Sequence, residues 1–213
     1  MSLAALLAET RAGSIKRLPP DALATMEKVN AQLEAEGIGQ NALKAGDRLP
    51  DATLTNHKGE AVKLADMLAD GSLVLNFYRG GWCPYCNFEL RAYQDMLPQF
   101  QARGAQLVGV TPEKPDNSLT THEKNELAFP ILTDAGNDFA KALGIVFDMP
   151  DDLIELYSGF FGLDLPNLNA GGGWSLPIPA TFVVDPSGKI LLADVDGDYT
   201  RRLEPSDALA ALG

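Results

Sequence analysis

Leu73-Val74-Leu75-Asn76-Phe77-Tyr78-Arg79-Gly80-Gly81-Trp82-Cys83-Pro84-Tyr85-Cys86 carries an apolar run into the only two cysteines of the chain. The run at 73–78 reads as a buried strand. Beyond the cysteines, Leu90, Tyr93, Leu97 and Phe100 recur at helical spacing within 87–103. The thiols therefore sit at a strand-to-helix turn, with Cys86 at or inside the first helical turn. Unpaired N–H groups and the positive end of a helix dipole favour a thiolate there. Two intervening residues also allow a reversible disulfide, so the pattern points to redox chemistry. Structural thiols and a zinc site are the alternatives. Zinc needs further ligands, and His57 and His122 lack the spacing of a zinc-binding histidine pair, so carboxylates would have to complete the set.

Composition narrows the function classes. The 213 residues suit one domain with an added element, and 46% hydrophobic with 22% charged residues is ordinary for a globular chain. The net charge is −12, from 29 acids and 17 bases. Residues 1–45 hold five of each sign, so the remainder carries the whole excess. Such a surface repels phosphate backbones and anionic membranes, which argues against nucleic-acid and membrane partners. No apolar run approaches the length of a membrane span. Residues 1–9 read as a short amphipathic helix rather than a signal peptide, giving a cytoplasmic expectation.

Working outward, residues 1–45 read as an N-terminal helical extension. Pro19-Pro20-Asp21 starts a helix, Leu23, Met26, Val29 and Leu33 form its apolar stripe, and Gly37 stops it. That stripe suits either packing on its own domain or a dimer arm. The body, 46–213, offers strand-like pieces around 52–54 and 62–64, a second buried strand at 106–110, and helices at 121–128 and 137–143. Strands at 181–184 and 190–193 flank a hairpin turn, Asp185-Pro186-Ser187-Gly188. The order predicts an α/β fold with a mixed central sheet flanked by helices. Residues 148–174 stand apart as an insertion, with a helical pattern at Leu153, Leu156, Tyr157, Phe160 and Phe161, then Gly171-Gly172-Gly173. A surface insertion covering core is the favoured reading over a lid above the thiols.

Several stretches resemble the peroxiredoxin branch (AhpC/TSA) of the thioredoxin superfamily. These are Gly46-Asp47-Arg48-Leu49-Pro50, the strand ending in Phe77-Tyr78, Gly109-Val110-Thr111 with 129–134, and 180–185 with Gly188-Lys189-Ile190. The resemblance covers 46–195 and implies a thioredoxin-like fold. Laid on Phe77-Tyr78 without gaps, it puts the peroxidatic cysteine at Cys86 and the family glutamate at Glu89. The family threonine falls on Cys83, its proline on Arg79, and its late arginine on Pro179. Conversely, Trp82-Cys83-x-x-Cys86 resembles thioredoxin itself, and Pro179 resembles the cis-proline that thioredoxins hold against their cysteines.

The resemblance implies two mechanisms, neither needing a cofactor. As a thiol-dependent peroxidase, Cys86 attacks a hydroperoxide, Cys83 resolves the sulfenic acid, and a thioredoxin or glutathione system reduces the disulfide. As a thiol–disulfide oxidoreductase, Cys83 attacks a protein disulfide, Pro179 lines the groove, and Trp82, Pro84 and Tyr85 support it. A redox-switch binding module is a third class. Arg79 is read as an ordinary surface or salt-bridge residue in preference to a replacement for the missing arginine. Glu89 and Arg91 are read as structural, His57 and His122 are given no role, and the resemblance suggests a homodimer.

Overall fold

In the computed structural model, which describes residues 2–213, the strand before the cysteines lies inside a mixed sheet. The chain opens with α1 (Leu3–Arg17) and α2 (Pro20–Ala35), then the hairpin β1 (Thr53–Asn56) and β2 (Ala61–Lys63). Next come α3 (Leu64–Ala69), β3 (Ser72–Phe77), α4 (Pro84–Ala102), β4 (Ala105–Thr111), α5 (Pro115–Lys124), β5 (Ile131–Thr133) and α6 (Asp138–Ala142). β6 (Val146–Asp148) precedes α7 (Asp151–Glu155), a π-helical turn at Leu156–Phe160, α8 (Leu165–Leu168) and β7 (Ser175–Pro177). The chain closes with β8 (Ala180–Val184), β9 (Ile190–Val195) and α9 (Pro205–Ala210). Among the described residues, seven strands form the main sheet, in the order β2-β1-β5-β4-β3-β8-β9. β3, β4 and β5 run parallel, while β8 pairs antiparallel with β3. The expected mixed sheet flanked by helices is what forms.

Period-two alternation along β3 explains its central place. Leu73, Leu75 and Phe77 enter the core on one face, and Val74 and Tyr78 enter the other. The second core holds Leu90, Tyr93, Leu97 and Phe100 of α4, and Leu3 and Leu7 of α1 join it. Each such large apolar side chain contributes about 1.5–3 kcal/mol by leaving water. α1 is longer than the expected opening helix; Met1 of that expectation lies outside the described residues. The backbone N–H groups of Leu3 and Ala4 donate to the Glu204 carboxylate, which ties the helix start to the C-terminal segment. Of the α2 stripe, Val29 and Leu33 pack on their own chain, joining the first core beside Leu143 and Ile178, while Leu23 and Met26 stay half-buried.

Three expectations need correction. The helix expected at 121–128 runs from Pro115 to Lys124. Pro115 presets its first turn, and Glu126 at φ 52 carries the chain away from helical geometry. Residues 148–174 form a loop pinned at its base by the β6–β7 ladder, where Asp148 pairs with Ser175. That loop reaches the cysteine region, as described below, so it does more than cover core. Finally, no peptide bond is cis among the described residues, and Pro179 follows Ile178 in trans. Ile178 N–H donates to Ile145 O at 2.6 Å, and Ala180 pairs with Phe77.

Candidate active site

The turn between β3 and α4 is built by close approach. A Cβ on Gly80 would collide with Trp82 Nε1, and one on Gly81 with Thr121 Oγ1. Gly81 N–H donates to Glu113 Oε2 at 2.9 Å, and Asn87 Nδ2 donates to Gly81 O at 2.8 Å. Asn125 Nδ2 in turn donates to Asn87 Oδ1 at 2.7 Å. These polar contacts fix where the helix begins. Cys83 is its N-cap in extended backbone, Pro84 takes the first helical position and Cys86 the third. Both cysteines are free and fully buried.

Each sulfur faces a buried arginine. Arg79 Nη2 lies 3.3 Å from Cys83 Sγ, and its Nη1 donates to Tyr157 Oη at 3.1 Å. The guanidinium also sits 4.1 Å from the Tyr199 ring centre and 5.2 Å from that of Trp82. Arg79 is only 5% exposed and has no carboxylate partner among the described residues. The surface or salt-bridge reading of Arg79 is therefore wrong: the aromatic rings of the insertion and of the C-terminal segment enclose it. Arg202 Nη2 lies 3.7 Å from Cys86 Sγ, and its Nε donates to Glu89 Oε2 at 2.7 Å. Asn76 Nδ2 donates to the other Glu89 oxygen at 2.9 Å. Glu89, read from the sequence as structural, thus holds the arginine that faces Cys86, and Arg91 stacks on Phe88.

The two thiols are electrostatically unequal. Burial opposes ionisation of Cys83, but the Cys86 hydrogen bond and the Arg79 and Arg202 charges outweigh it and hold its thiol well below the usual range. Burial, together with the neighbouring Cys83 sulfur, pushes Cys86 up. Burial also raises Glu113 to about 7 against the Gly81 hydrogen bond.

A carboxyl whose folded-state value is raised binds its proton more tightly in the native state. Its stabilising effect is complete below the unfolded value and is lost as pH rises through about 7. Glu113→Gln is therefore expected to remove part of a pH-dependent stability loss, about 3 kcal/mol at most. Urea midpoints between about pH 5 and 8 report it. An unchanged slope in the variant rules out the raised value.

The sequence-predicted groups divide cleanly. Trp82 and Tyr85 pack edge-on against Tyr157 and Tyr199 at ring separations of 5.6 and 5.5 Å. Pro84 is exposed beside them, and Pro179 lines a small inner cavity with Arg79 and Tyr157. His57 and His122 stack on one another with ring centres 6.1 Å apart. Among the described residues, no group of three or more His, Cys, Asp or Glu side chains is arranged to hold a metal ion. Sequence reasoning missed Arg202, Glu113, Tyr157 and Tyr199 as site residues. Only Tyr157 left a trace, as a member of the helical pattern in the insertion.

A family model described as the AhpC/TSA family matches residues 45–193. The chain belongs to that family. Among AhpC/TSA-related proteins, a putative peroxiredoxin of Mycobacterium tuberculosis is 28% identical over 151 residues, covering 71% of this chain and 84% of the relative. The thiol-disulfide oxidoreductase ResA of Bacillus thuringiensis is 21% identical over 163 residues, covering 76% of this chain and 75% of the relative. The crystal structure of peroxidoxin BcpB from Mycobacterium tuberculosis matches with a TM-score of 0.63 at 24% identity, over 80% of this chain and 96% of that one. The AhpC/TSA chain described here thus has the thioredoxin-like fold. Its α1 and α2, and the segment carrying Tyr199 and Arg202, lie outside the family match.

Proposed function

We propose that this protein is a thiol-dependent peroxidase of peroxiredoxin type that works through the Cys83/Cys86 pair. The observation that carries the reading is the buried dithiol at the start of α4, with one arginine on each sulfur, in an AhpC/TSA chain. The register of the resemblance gives the attack to Cys86, whereas the charge distribution favours Cys83. We assign the attack to Cys83, because Arg79 is closer to its sulfur than Arg202 is to that of Cys86.

In this scheme the Cys83 thiolate attacks the terminal oxygen of a hydroperoxide. The S–O bond forms as the O–O bond breaks, and the leaving alkoxide takes a proton from solvent as an alcohol. Preorganised guanidinium donors stabilise charge developing on that oxygen. Cys86 sulfur then attacks the Cys83 sulfenic acid, forming the disulfide and releasing water. The dithiol gives up two electrons and the peroxide accepts them. An external thiol reductant, a thioredoxin or glutathione system, restores the dithiol. We place this chemistry in the cytoplasm, in the 46–213 body with residues 1–45 as an appended extension, and in a homodimer. A monomer by light scattering overturns the last point.

The test uses Cys83→Ser and Cys86→Ser, each reduced and given stoichiometric peroxide with a sulfenic-acid trap. Mass spectrometry is expected to find rapid, stoichiometric labelling of Cys83 in Cys86→Ser and slow labelling in Cys83→Ser. The reverse result returns the attack to Cys86. If neither variant reacts faster than free cysteine, the peroxidase reading fails. The second reading, a thiol–disulfide oxidoreductase, then stands on the Cys83 thiolate at the N-cap beside Trp82.

A further inference from the structure

Two guanidiniums face two sulfurs, yet the reduced site favours a single thiolate. Arg79 contacts Cys83 Sγ and Tyr157 Oη, and Arg202 contacts Cys86 Sγ. Burial, and then the Cys83 sulfur to which Cys86 donates a hydrogen bond, keep the second proton on Cys86. Disulfide closure after attack by Cys83 nevertheless needs Cys86 as a nucleophile, and the thiolate is the attacking form. The first charge must therefore go before the second can form.

Arg202 is built into the site as a fixed part. Its Nε donates to Glu89 Oε2 at 2.7 Å, and its Nη1 donates to Arg201 O at 2.6 Å and also to Tyr199 O. Asn76 of β3 holds Glu89 in turn. This clamp leaves Nη2 for Cys86 Sγ, its one hydrogen-bond contact among the described residues. The Arg202 and Glu89 side chains are 2% and 1% exposed, so water scarcely screens the guanidinium. A planar fork fixed in this way needs no reorganisation when charge develops in front of it. The other titratable or charged groups around Cys86 are Cys83, Arg79, Tyr78 and Tyr157. Burial keeps both phenols protonated, so neither places a competing anion there.

We propose that Arg202 is the catalytic residue of disulfide closure. When Cys83 becomes a sulfenic acid or a mixed disulfide, its sulfur loses its negative charge. The field of the arginines then passes to Cys86, which ionises against Arg202 Nη2. The Cys86 thiolate attacks the Cys83 sulfur, and the new S–S bond forms as the S–O bond, or the S–S bond to the capping thiol, breaks. The leaving hydroxide takes the proton that Cys86 released and departs as water; a capping thiol departs as thiolate. The assignment rests on the reading of Cys83 as first nucleophile, and the arginine comes from a segment outside the family match.

Carbon-13 NMR follows each sulfur, because a label on the cysteine Cβ carbons of this chain gives only two signals. In the reduced native chain, Cys83 is expected to titrate below Cys86. Cys83→Ser stands in for a discharged first sulfur, and there the Cys86 midpoint is expected to fall by at least about one pH unit. Adding Arg202→Met with Glu89→Leu, which strands neither charge, is expected to raise it again by at least about one pH unit. Adding Arg202→Lys instead is expected to keep part of the fall, which a packing role would not. Circular dichroism checks that each variant folds, and Cys83→Ser alone tests the hand-over of charge. Single-turnover closure, with both cysteines present, is expected to slow at least about tenfold in Arg202→Met with Glu89→Leu, whether peroxide or dipyridyl disulfide has modified Cys83. A Cys86 midpoint unmoved by Cys83→Ser or by loss of Arg202, Cys86 titrating below Cys83 in the native chain, or unchanged closure overturns the proposal. Slowed closure after dipyridyl disulfide, in a chain that does not react with peroxide, keeps Arg202 in this role and removes the peroxidase reading.

Discussion

Arg79→Met is expected to slow oxidation of the Cys83 sulfur by peroxide on the order of 10²-fold, comparable to removing one donor from an oxyanion site. The variant loses the guanidinium 3.3 Å from the sulfur and leaves the Tyr157 hydroxyl without its donor. Two separable effects follow. The thiolate loses a nearby positive charge, so the Cys83 thiol ionises at higher pH than in the native protein. The developing alkoxide also loses its preorganised donor, and raising the pH does not restore that. Ultraviolet thiolate absorbance measured against pH isolates the first effect, and stopped-flow oxidation at saturating ionisation isolates the second. Arg79→Lys keeps the charge but loses the planar fork that reaches both Tyr157 and Cys83, so it is expected to recover ionisation better than rate. If thiolate absorbance and rate are both unchanged in Arg79→Met, the arginine is only packing between Trp82 and Tyr199.

Much of the scaffold was legible because it is local. The apolar run of β3, the periodic stripe of α4 and the turn between β8 and β9 each declare themselves within about a dozen residues, and short-range sterics decide them. The cysteine pair and its place at a helix start were legible for the same reason. The electrostatics around the sulfurs were not. Arg79 and Tyr157 are 78 residues apart in sequence, and Arg202 and Glu89 are 113 apart. Neither spacing carries a periodic signal. Arg202 follows an irregular segment, and no motif or spacing ties it to Cys86 or Glu89. Arg79 was misread because its enclosure depends on Tyr199 and on a loop that sequence alone could assign only as a surface insertion. The expected cis bond at Pro179 failed differently. The residue type allowed either isomer, and nothing local in the sequence separates them; the bond is trans.

Breaking the Arg202–Glu89 pair is expected to be the most destabilising change near the thiols, about 3–5 kcal/mol for removal of one partner. Both side chains are almost wholly buried. The two deletions are nevertheless unequal. A guanidinium stays charged, so Glu89→Leu strands a buried cation with only the Tyr199 and Arg201 carbonyls and the Cys86 sulfur for company. A carboxyl can instead take up a proton. Burial already raises Glu89 to about 7, against the pull of Arg202 and Asn76. In Arg202→Met that pull is gone, so Glu89 holds its proton to higher pH and the variant avoids a buried bare charge near neutrality. The sign follows: a raised carboxyl stabilises at low pH and loses that contribution as pH rises through its folded-state value. The stability gap between the native protein and Arg202→Met therefore widens as pH rises above about 7, where the native pair is fully charged. Glu89→Leu shows no such widening, and Glu89→Leu with Arg202→Met recovers much of the loss, because two apolar side chains leave nothing unpaired. Urea unfolding of the three variants across this pH range decides the matter. Equal costs for the two single variants, independent of pH, require that water reaches the pair after substitution, and the rigid second arginine beside Cys86 would then be lost as an explanation for how that sulfur is held.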